Sequence, residues 1–441
     1  MKRRTFVGSA GAGLLAATQE ERPNAASPAT AQVRLAGMSP AELQARYRND
    51  LFNVMLPFWD RYGVDHESGG VMHGLDYDGT LAHSDKLLWF QGRAIWVYSF
   101  LYNNFGKDPR HLQIAAKTRE FVLRHAPQPD GWWAELLARD GKVLRGFQGD
   151  LYGMYFVAEG LQEYAWAAGH EESHRMALEL VKKLHRHIED PGVMIPGTPA
   201  AGVRPQGLWM VNLNIATQIL RRWQDPEIES LAQQATDAVI NKHFNSDIGL
   251  NNENLNFDFT RPAGEENKSL LGHSIETLWM VMDEALRKSD LHLRNLCAER
   301  IRRHIEVGWD WVYGGLSQWV NVDRGDYIWP MERPVGTDLE FRFRGEYHYM
   351  KTLWSLNEIL VACLKLIERT GAEWAARFFG MAHDVIDEKF SRKRYGQSGY
   401  MLFADRKMIQ QPHVSRQDNY HPPRQLMLNL IALDRMNRNP V

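Results

Sequence analysis

A histidine and a glutamate stand one helical turn apart in Gly272-His273-Ser274-Ile275-Glu276, at the entrance to a segment whose Ile275, Leu278, Trp279, Met282 and Leu286 recur at helical spacing. Those apolar residues form one stripe, so His273 and Glu276 lie on another face and are spare to the core. A histidine in the first turn feels the positive end of the helix dipole, which disfavours imidazolium and keeps a nitrogen ready to take a proton. Glu276 then orients the other nitrogen, which makes a general base with its orienter. The same spacing also suits a hydrogen-bonded interior histidine beside a surface glutamate, so other stretches must decide.

His421 is the second candidate, in Asp418-Asn419-Tyr420-His421-Pro422-Pro423-Arg424. The two prolines stiffen the loop and open a helix, a fixed position that serves a catalyst as well as a plain turn. The remaining histidines, among them His66, His111, His185, His187 and His304, have charged neighbours and read as surface. Arg93 lies inside the otherwise apolar run from Leu87 to Trp96, where a guanidinium is costly unless it pairs with a carboxylate or faces a polar cavity. In a cavity it would hold an oxygen that gains negative charge; otherwise it ties two helices through an ion pair. Lys351, Trp354 and Glu358 share one helical face, Asn212 starts another helix, and Tyr152 opens a third beside Asp150. Asparagine and tyrosine at such places cap helices as readily as they bind hydroxyl groups. The chain has no His-Glu-x-x-His, no Gly-x-x-x-x-Gly-Lys and no dinucleotide fingerprint, so the chemistry is expected from side chains alone, with no metal and no cofactor.

The elements that must position these residues repeat. Glycine-bearing interruptions occur at Gly69-Gly70 with Asp78-Gly79, at Gly131 with Asp140-Gly141, at Gly192 with Gly197, at Gly249, at Gly314-Gly315 with Asp323, and at Gly399. The first four spacings are each about 60 residues and the last is longer; sixty residues give room for two helices and their connections, which implies about six helix pairs. Several interruptions read as small hairpins, such as Gly70 to Gly79. Helical periods are clear over 85–103, 151–168, 174–188, 211–223, 226–242, 269–288, 292–307, 347–370, 374–390 and 423–435. Helix pairs of this number close most economically into a ring. The expected fold is therefore all-α, one (α/α)6 barrel over residues 36–441, with the hairpins gathered at one mouth; an open array of helix pairs is the alternative. Residues 321–344 follow neither period and read as a lid or rim insertion.

The chain's 441 residues, 44% of them hydrophobic, can bury a large core, and a net charge of −2 gives no basic stripe for nucleic acid. The two cysteines, Cys297 and Cys363, are too few for a disulfide framework or a cysteine-rich metal site. Fifteen tryptophans and fifteen tyrosines supply flat rings of the kind that stack on sugars. Lys2-Arg3-Arg4-Thr5-Phe6-Val7, with the small and apolar run after it and Ala29-Thr30-Ala31 beyond, resembles a bacterial twin-arginine export signal over residues 1–31. The run is far shorter than the roughly 20 residues that span a bilayer, so no membrane anchor is expected after cleavage and a periplasmic location is.

Taken together, the motifs resemble the N-acylglucosamine 2-epimerase family, which includes cellobiose 2-epimerases and mannose isomerases. The resemblance rests on Gly69-Gly70 through Asp78-Gly79 followed by Lys86, Trp89, Gln91, Gly92, Arg93 and Trp96; on Gly272-His273-x-x-Glu276-x-x-Trp279; on Lys351-x-x-Trp354-x-x-x-Glu358; and on His421-Pro-x-Arg424. It implies an (α/α)6 barrel with two cavity histidines, His273 and His421, that move a proton at C2 of an opened sugar through an enediolate. Arg93 would steady the enediolate and Glu276 polarise its histidine, while Trp89, Tyr152, Asn212, Lys351, Trp354 and Glu358 would contact the sugar. It implies no metal and allows a homodimer. Ala216 and Ile219 stand where the cellobiose and mannose branches carry a histidine and a glutamate, so the helix from Asn212 looks more like the N-acylglucosamine branch. Two other classes stay open: a glycoside hydrolase, for which Glu276 and Glu358 are the available carboxylate pair, and a sugar-binding protein without catalysis.

Overall fold

Twelve helices alternate between an inner and an outer ring in the computed structural model, which describes residues 34–322, 351–392, 397–398, 401–402, 407–408 and 412–438. The inner helices are α2 (Leu88–Asn104), α4 (Tyr152–Ala168), α6 (Gln206–Leu220), α8 (Leu271–Lys288), α10 (Leu353–Thr370) and α12 (His421–Arg438). The outer ones are α1 (40–63), α3 (Pro109–His125), α5 (Glu171–Ile188), α7 (226–242), α9 (Leu291–Gly308) and α11 (373–390). Each inner helix packs on the next, α12 returns to α2, and α1 lies along α12, so the ring is closed. This is the (α/α)6 barrel that the repeats predict.

Two helices escape the periodicity. In α1, Ser39 and Glu42 form a reciprocal capping box, but Pro57 lies in the same run, and the helix loosens into π-helical stretches at Asp50–Met55 and Trp59–Gly63. In α3 the buried positions are Ala115, Thr118, Phe121 and Val122, a stripe half made of small or polar residues. Other boundaries move by a few residues. The largest shifts are α10, which begins at Leu353 rather than near residue 347 after a short strand, Lys351–Thr352, and α6, which starts at Gln206 rather than near residue 211.

Small residues bring the inner helices close. A Cβ on Gly92 of α2 would come within 2.4 Å of the Phe156 carbonyl carbon and the Val157 nitrogen, and one on Gly160 of α4 within 2.6 Å of the Gly92 oxygen. These two helices therefore cross backbone on backbone, which leaves their remaining faces for core and cavity.

The strands lace the mouth at the N-terminal ends of the inner helices. Lys86–Leu87, Arg204–Pro205, Lys268–Leu270 and Lys351–Thr352, each leading into an inner helix, pair antiparallel with Leu136–Leu137, Asn254–Leu255, Trp319–Asn321 and Met401–Leu402 respectively. Two of these lead-ins are pinned by the same device. Lys86 Nζ bonds Asp65 Oδ2 at 2.9 Å and the Gly69 oxygen at 2.6 Å, and Lys351 Nζ bonds Asp310 Oδ2 at 2.8 Å and the Gly314 oxygen at 2.5 Å. Asp65 to Gly70 and Asp310 to Gly315 are thus copies of one loop, each closed by the aspartate N–H donating to the second glycine's oxygen. Both glycines of each pair have φ near +80°, a conformation that L side chains rarely adopt. The export signal proposed for residues 1–31 and most of the 321–344 segment lie outside the described residues. Among the described residues, no helix is long and apolar enough to cross a membrane.

Candidate active site

The front ends of the inner helices lie at one mouth, and five of the six contribute an aromatic or histidine side chain from the first turn to the candidate site. Trp89 comes from α2, Tyr152 from α4, His273 from α8, Trp354 from α10 and His421 from α12. Helices meeting by their N-termini point unpaired N–H groups and the positive ends of their dipoles inward, which favours an anion forming between them.

His273 and His421, nearly 150 positions apart in sequence, lean on the same indole. The Trp354 ring lies 5.5 Å from the imidazole of His273 and 5.6 Å from that of His421. Gly272 makes this possible, because a Cβ there would fall 2.3 Å from the indole Cη2. The Nδ1 of His273 is 3.0 Å from Glu253 Oε1, and the Nδ1 of His421 is 2.6 Å from Asp418 Oδ2. Each ring is held by a carboxylate through Nδ1, which leaves Nε2 for a substrate. Asp418 also accepts the backbone N–H groups of Tyr420 and His421, so one side chain both caps α12 and orients its histidine.

Glu253 corrects the expectation for His273. Glu276 is not its hydrogen-bonded orienter. Burial works against the imidazolium, but the Glu253 carboxylate and the charge of Glu276 outweigh it and raise the histidine's pKa, whereas the helix dipole alone would lower it. Asp418 is held far below the usual carboxylate range because His421 and Arg93 outweigh its burial. No spacing in the sequence pairs Glu253 with a histidine twenty residues on; the ladder of Asn254–Leu255 with Arg204–Pro205 brings it in. Asp418, three residues before His421 at a helix start, was legible as a local pair.

Glu276 and Glu358 turn inward instead, onto Arg424. One amino group of this buried arginine donates to Glu276 Oε1 at 2.5 Å and to Glu358 Oε1 at 2.7 Å, while Trp279 Nε1 donates to Glu358 Oε2 at 2.7 Å. Glu276, Glu358 and His421 bring potential ligand atoms within 4.8 Å of one another. The guanidinium of Arg424 already engages one oxygen of each carboxylate of that set and offsets one of their two charges.

Arg93 is buried and has no salt bridge among the described residues. Its guanidinium carbon lies 4.0 Å from the Phe156 ring centre, 4.7 Å from Tyr420 and 5.5 Å from Trp89, and its Nε has no hydrogen-bond partner among the described residues. Burial lowers its pKa, while Asp418, Tyr420 and Glu276 support its charge. A caged cation with a spare donor, set on the Tyr420 ring next to His421 in sequence and near enough to His273 to act on its charge, suits an oxyanion. Trp89 Nε1 donates to Asp150 Oδ2 at 2.5 Å, and burial pushes the Asp150 carboxyl up to about 6.

Three expectations change. Lys351 is not on the cavity face of α10 but in the strand before it, locked on Asp310. Asn212 is fully buried in mid-helix, its amide donating to the Tyr155 hydroxyl and the Leu208 oxygen, so it serves the contact with α4 rather than the hollow. His304 is buried, not on the surface, and burial depresses its pKa to about 4.

Residues 69–423 match the family model of N-acylglucosamine 2-epimerase (GlcNAc 2-epimerase). The chain belongs to the N-acylglucosamine 2-epimerase family. This makes it an isomerase of the sugar epimerase class. The N-acylglucosamine 2-epimerase of Bos taurus is 26% identical over 367 residues, covering 79% of this chain and 81% of that one. Among solved structures, a cellobiose 2-epimerase from Bacillus thermoamylovorans superposes with a TM-score of 0.72 at 18% identity, covering 89% and 99% of the two chains. A D-mannose isomerase superposes with a TM-score of 0.71 at 16% identity, covering 90% and 97%. Both solved structures share the helical barrel described above.

Proposed function

We propose that this family member interconverts a free reducing sugar with its C2 epimer, or with the corresponding ketose, by passing a proton between His273 and His421. The observation that carries the reading is the shared indole: two imidazoles, each fixed through Nδ1 by its own carboxylate, both rest against the Trp354 ring at the N-terminal ends of their helices. In the opened sugar one Nε2 removes the proton on C2, the C–H electron pair forms the C1–C2 double bond, and the carbonyl oxygen becomes an enediolate oxygen. Arg93 and the converging helix N-termini stabilise that charge. The opposite imidazolium returns a proton to the other face of C2, giving the epimer, or a proton goes to C1 while the O2 proton passes to O1 and the carbonyl forms at C2, giving the ketose.

A glycoside hydrolase reading is less well supported. It needs two carboxylates roughly 5 to 10 Å apart astride a glycosidic bond. Glu276 and Glu358 instead share one buried guanidinium.

The relatives that act on N-acylglucosamine, cellobiose and mannose define the panel to test. Incubation of the full-length protein with these reducing sugars in deuterated water should place deuterium at C2, and His273→Ala or His421→Ala should abolish it. Appearance of a new reducing end, or exchange that survives either substitution, would overturn the reading. We further propose that residues 1–31 direct export and that 36–441 act as one catalytic unit, which cell fractionation and a truncation starting at 36 would check.

A further inference from the structure

Two cavities lie behind the catalytic layer, and they share walls. One, of about 80 Å³, opens at the end of the barrel opposite the hairpins, near Trp96, Glu163, Gln218 and Arg222; the other, of about 10 Å³, lies against Phe156, Glu276 and Tyr420. Glu159, Asn214 and Arg424 line both. By volume they correspond to several water molecules and to about one. The rear rim carries Arg222 on Glu163 and Arg221 with Lys365 on Asp283, so it is charged and partly exposed.

Glu159 is the hub between them. Its carboxylate accepts from Asn214 Nδ2 at 2.8 Å, from Gln218 Nε2 at 2.9 Å, and from the Tyr420 hydroxyl at 3.0 and 2.9 Å. That hydroxyl accepts in turn from Arg424 at 3.2 Å, and the same arginine holds Glu276 and Glu358. The Tyr420 ring backs the Arg93 guanidinium, and the next residue is His421. The groups around Glu159 are Arg93 and Trp96 of α2, Glu163 of α4, Asn214 and Gln218 of α6, Glu276 of α8, and Tyr420 and Arg424 at α12. Burial raises its pKa, against the Gln218 amide and the arginine charges, which lower it.

Building on the two-histidine reading, we propose that Glu159 is a positioning residue, which sets Tyr420, Arg424 and through them Arg93 and His421 from behind, with the rear cavity as its access to solvent. It touches no substrate. Its protonation state would alter how the Tyr420 hydroxyl is oriented and therefore how firmly the catalytic layer is held.

The test measures kcat and KM for C2 deuterium exchange across pH in the full-length protein. Glu159→Gln keeps the shape and removes the ionisation. It should lower kcat about tenfold with KM little changed, and shift the acid limb of the kcat profile. Tyr420→Phe should do the same, and the double variant should lose no more than either single one, because both act through one contact. A Glu159→Gln enzyme with wild-type kcat and pH profile, or losses that multiply in the double variant, overturns the proposal. Should Glu159→Gln not accumulate as folded protein, Tyr420→Phe decides alone, and a wild-type kcat there also overturns it. Exchange that survives His273→Ala would instead sink the two-histidine reading, so the two failures are distinguishable.

Discussion

His273 Nδ1 lies 3.0 Å from Glu253 Oε1, and that contact raises the affinity of the imidazole for its proton although burial opposes it. Glu253→Gln should therefore lower the histidine's pKa and move the acid limb of the exchange profile to lower pH, because the base then stays neutral further into acid. It should also cut kcat, on the order of 100-fold, through loss of ring orientation. The sign for stability follows from the same shift. The raised pKa stabilises the fold fully below the unfolded histidine value of about 6.5, and this is lost as pH rises through the folded value. Melting curves should show the variant most destabilised in mild acid; an acid limb that does not move would contradict the assignment.

Arg424 holds two carboxylates that have no other cation bonded to them among the described residues. Arg424→Met strands both in a buried layer, so the expected loss is about 3 to 5 kcal/mol in urea unfolding. Adding Glu276→Gln should recover part of that, since one stranded charge is removed. A loss below about 1 kcal/mol, as for exposed pairs, would mean that solvent reaches the layer more freely than its burial implies.

The ring of helices was legible because glycine interruptions and helical periods recur through the whole chain, and α4 and α7 fall where their periodicity places them. The failures have local causes. Pro57 disguises α1, and Ala115 with Thr118 dilutes the stripe of α3. In the site, His273, Glu276, Trp354, Glu358, His421 and Arg93 could be picked out as polar or aromatic residues on apolar helices. Asp418 apart, their partners could not, since Glu253 is carried to His273 by a strand paired with Arg204–Pro205 and Arg424 reaches Glu276 across the barrel. Helical spacing put Lys351 beside Trp354 because it cannot show that the helix starts only at Leu353.

Lys351 offers a clean separation of structure from binding. Its ammonium is buried on Asp310, as Lys86 is on Asp65 in the matching loop. Lys351→Met should cost about 3 kcal/mol or more by leaving Asp310 without that cation, while KM for sugar in the folded fraction stays at the wild-type value. Lys86→Met should behave alike. A KM that rises severalfold without loss of stability would return Lys351 to the sugar-binding set.

Gly272 makes the most specific prediction, because it touches the chemistry only through the indole. A methyl group there would sit 2.3 Å from Trp354 Cη2 and 2.9 Å from Ser355 Cβ, so Gly272→Ala must push the tryptophan out of its place against the two imidazoles. Helix propensity pulls the other way, since alanine favours a helix interior over glycine by about 1 kcal/mol. The variant should thus fold, with a thermal midpoint close to wild type or modestly lower, yet lose kcat by up to about 100-fold through misplaced bases. Trp354→Ala removes the obstacle, so combining it with Gly272→Ala should add no further loss to that of Trp354→Ala alone. If Gly272→Ala instead leaves kcat intact, the indole is not what spaces His273 from His421.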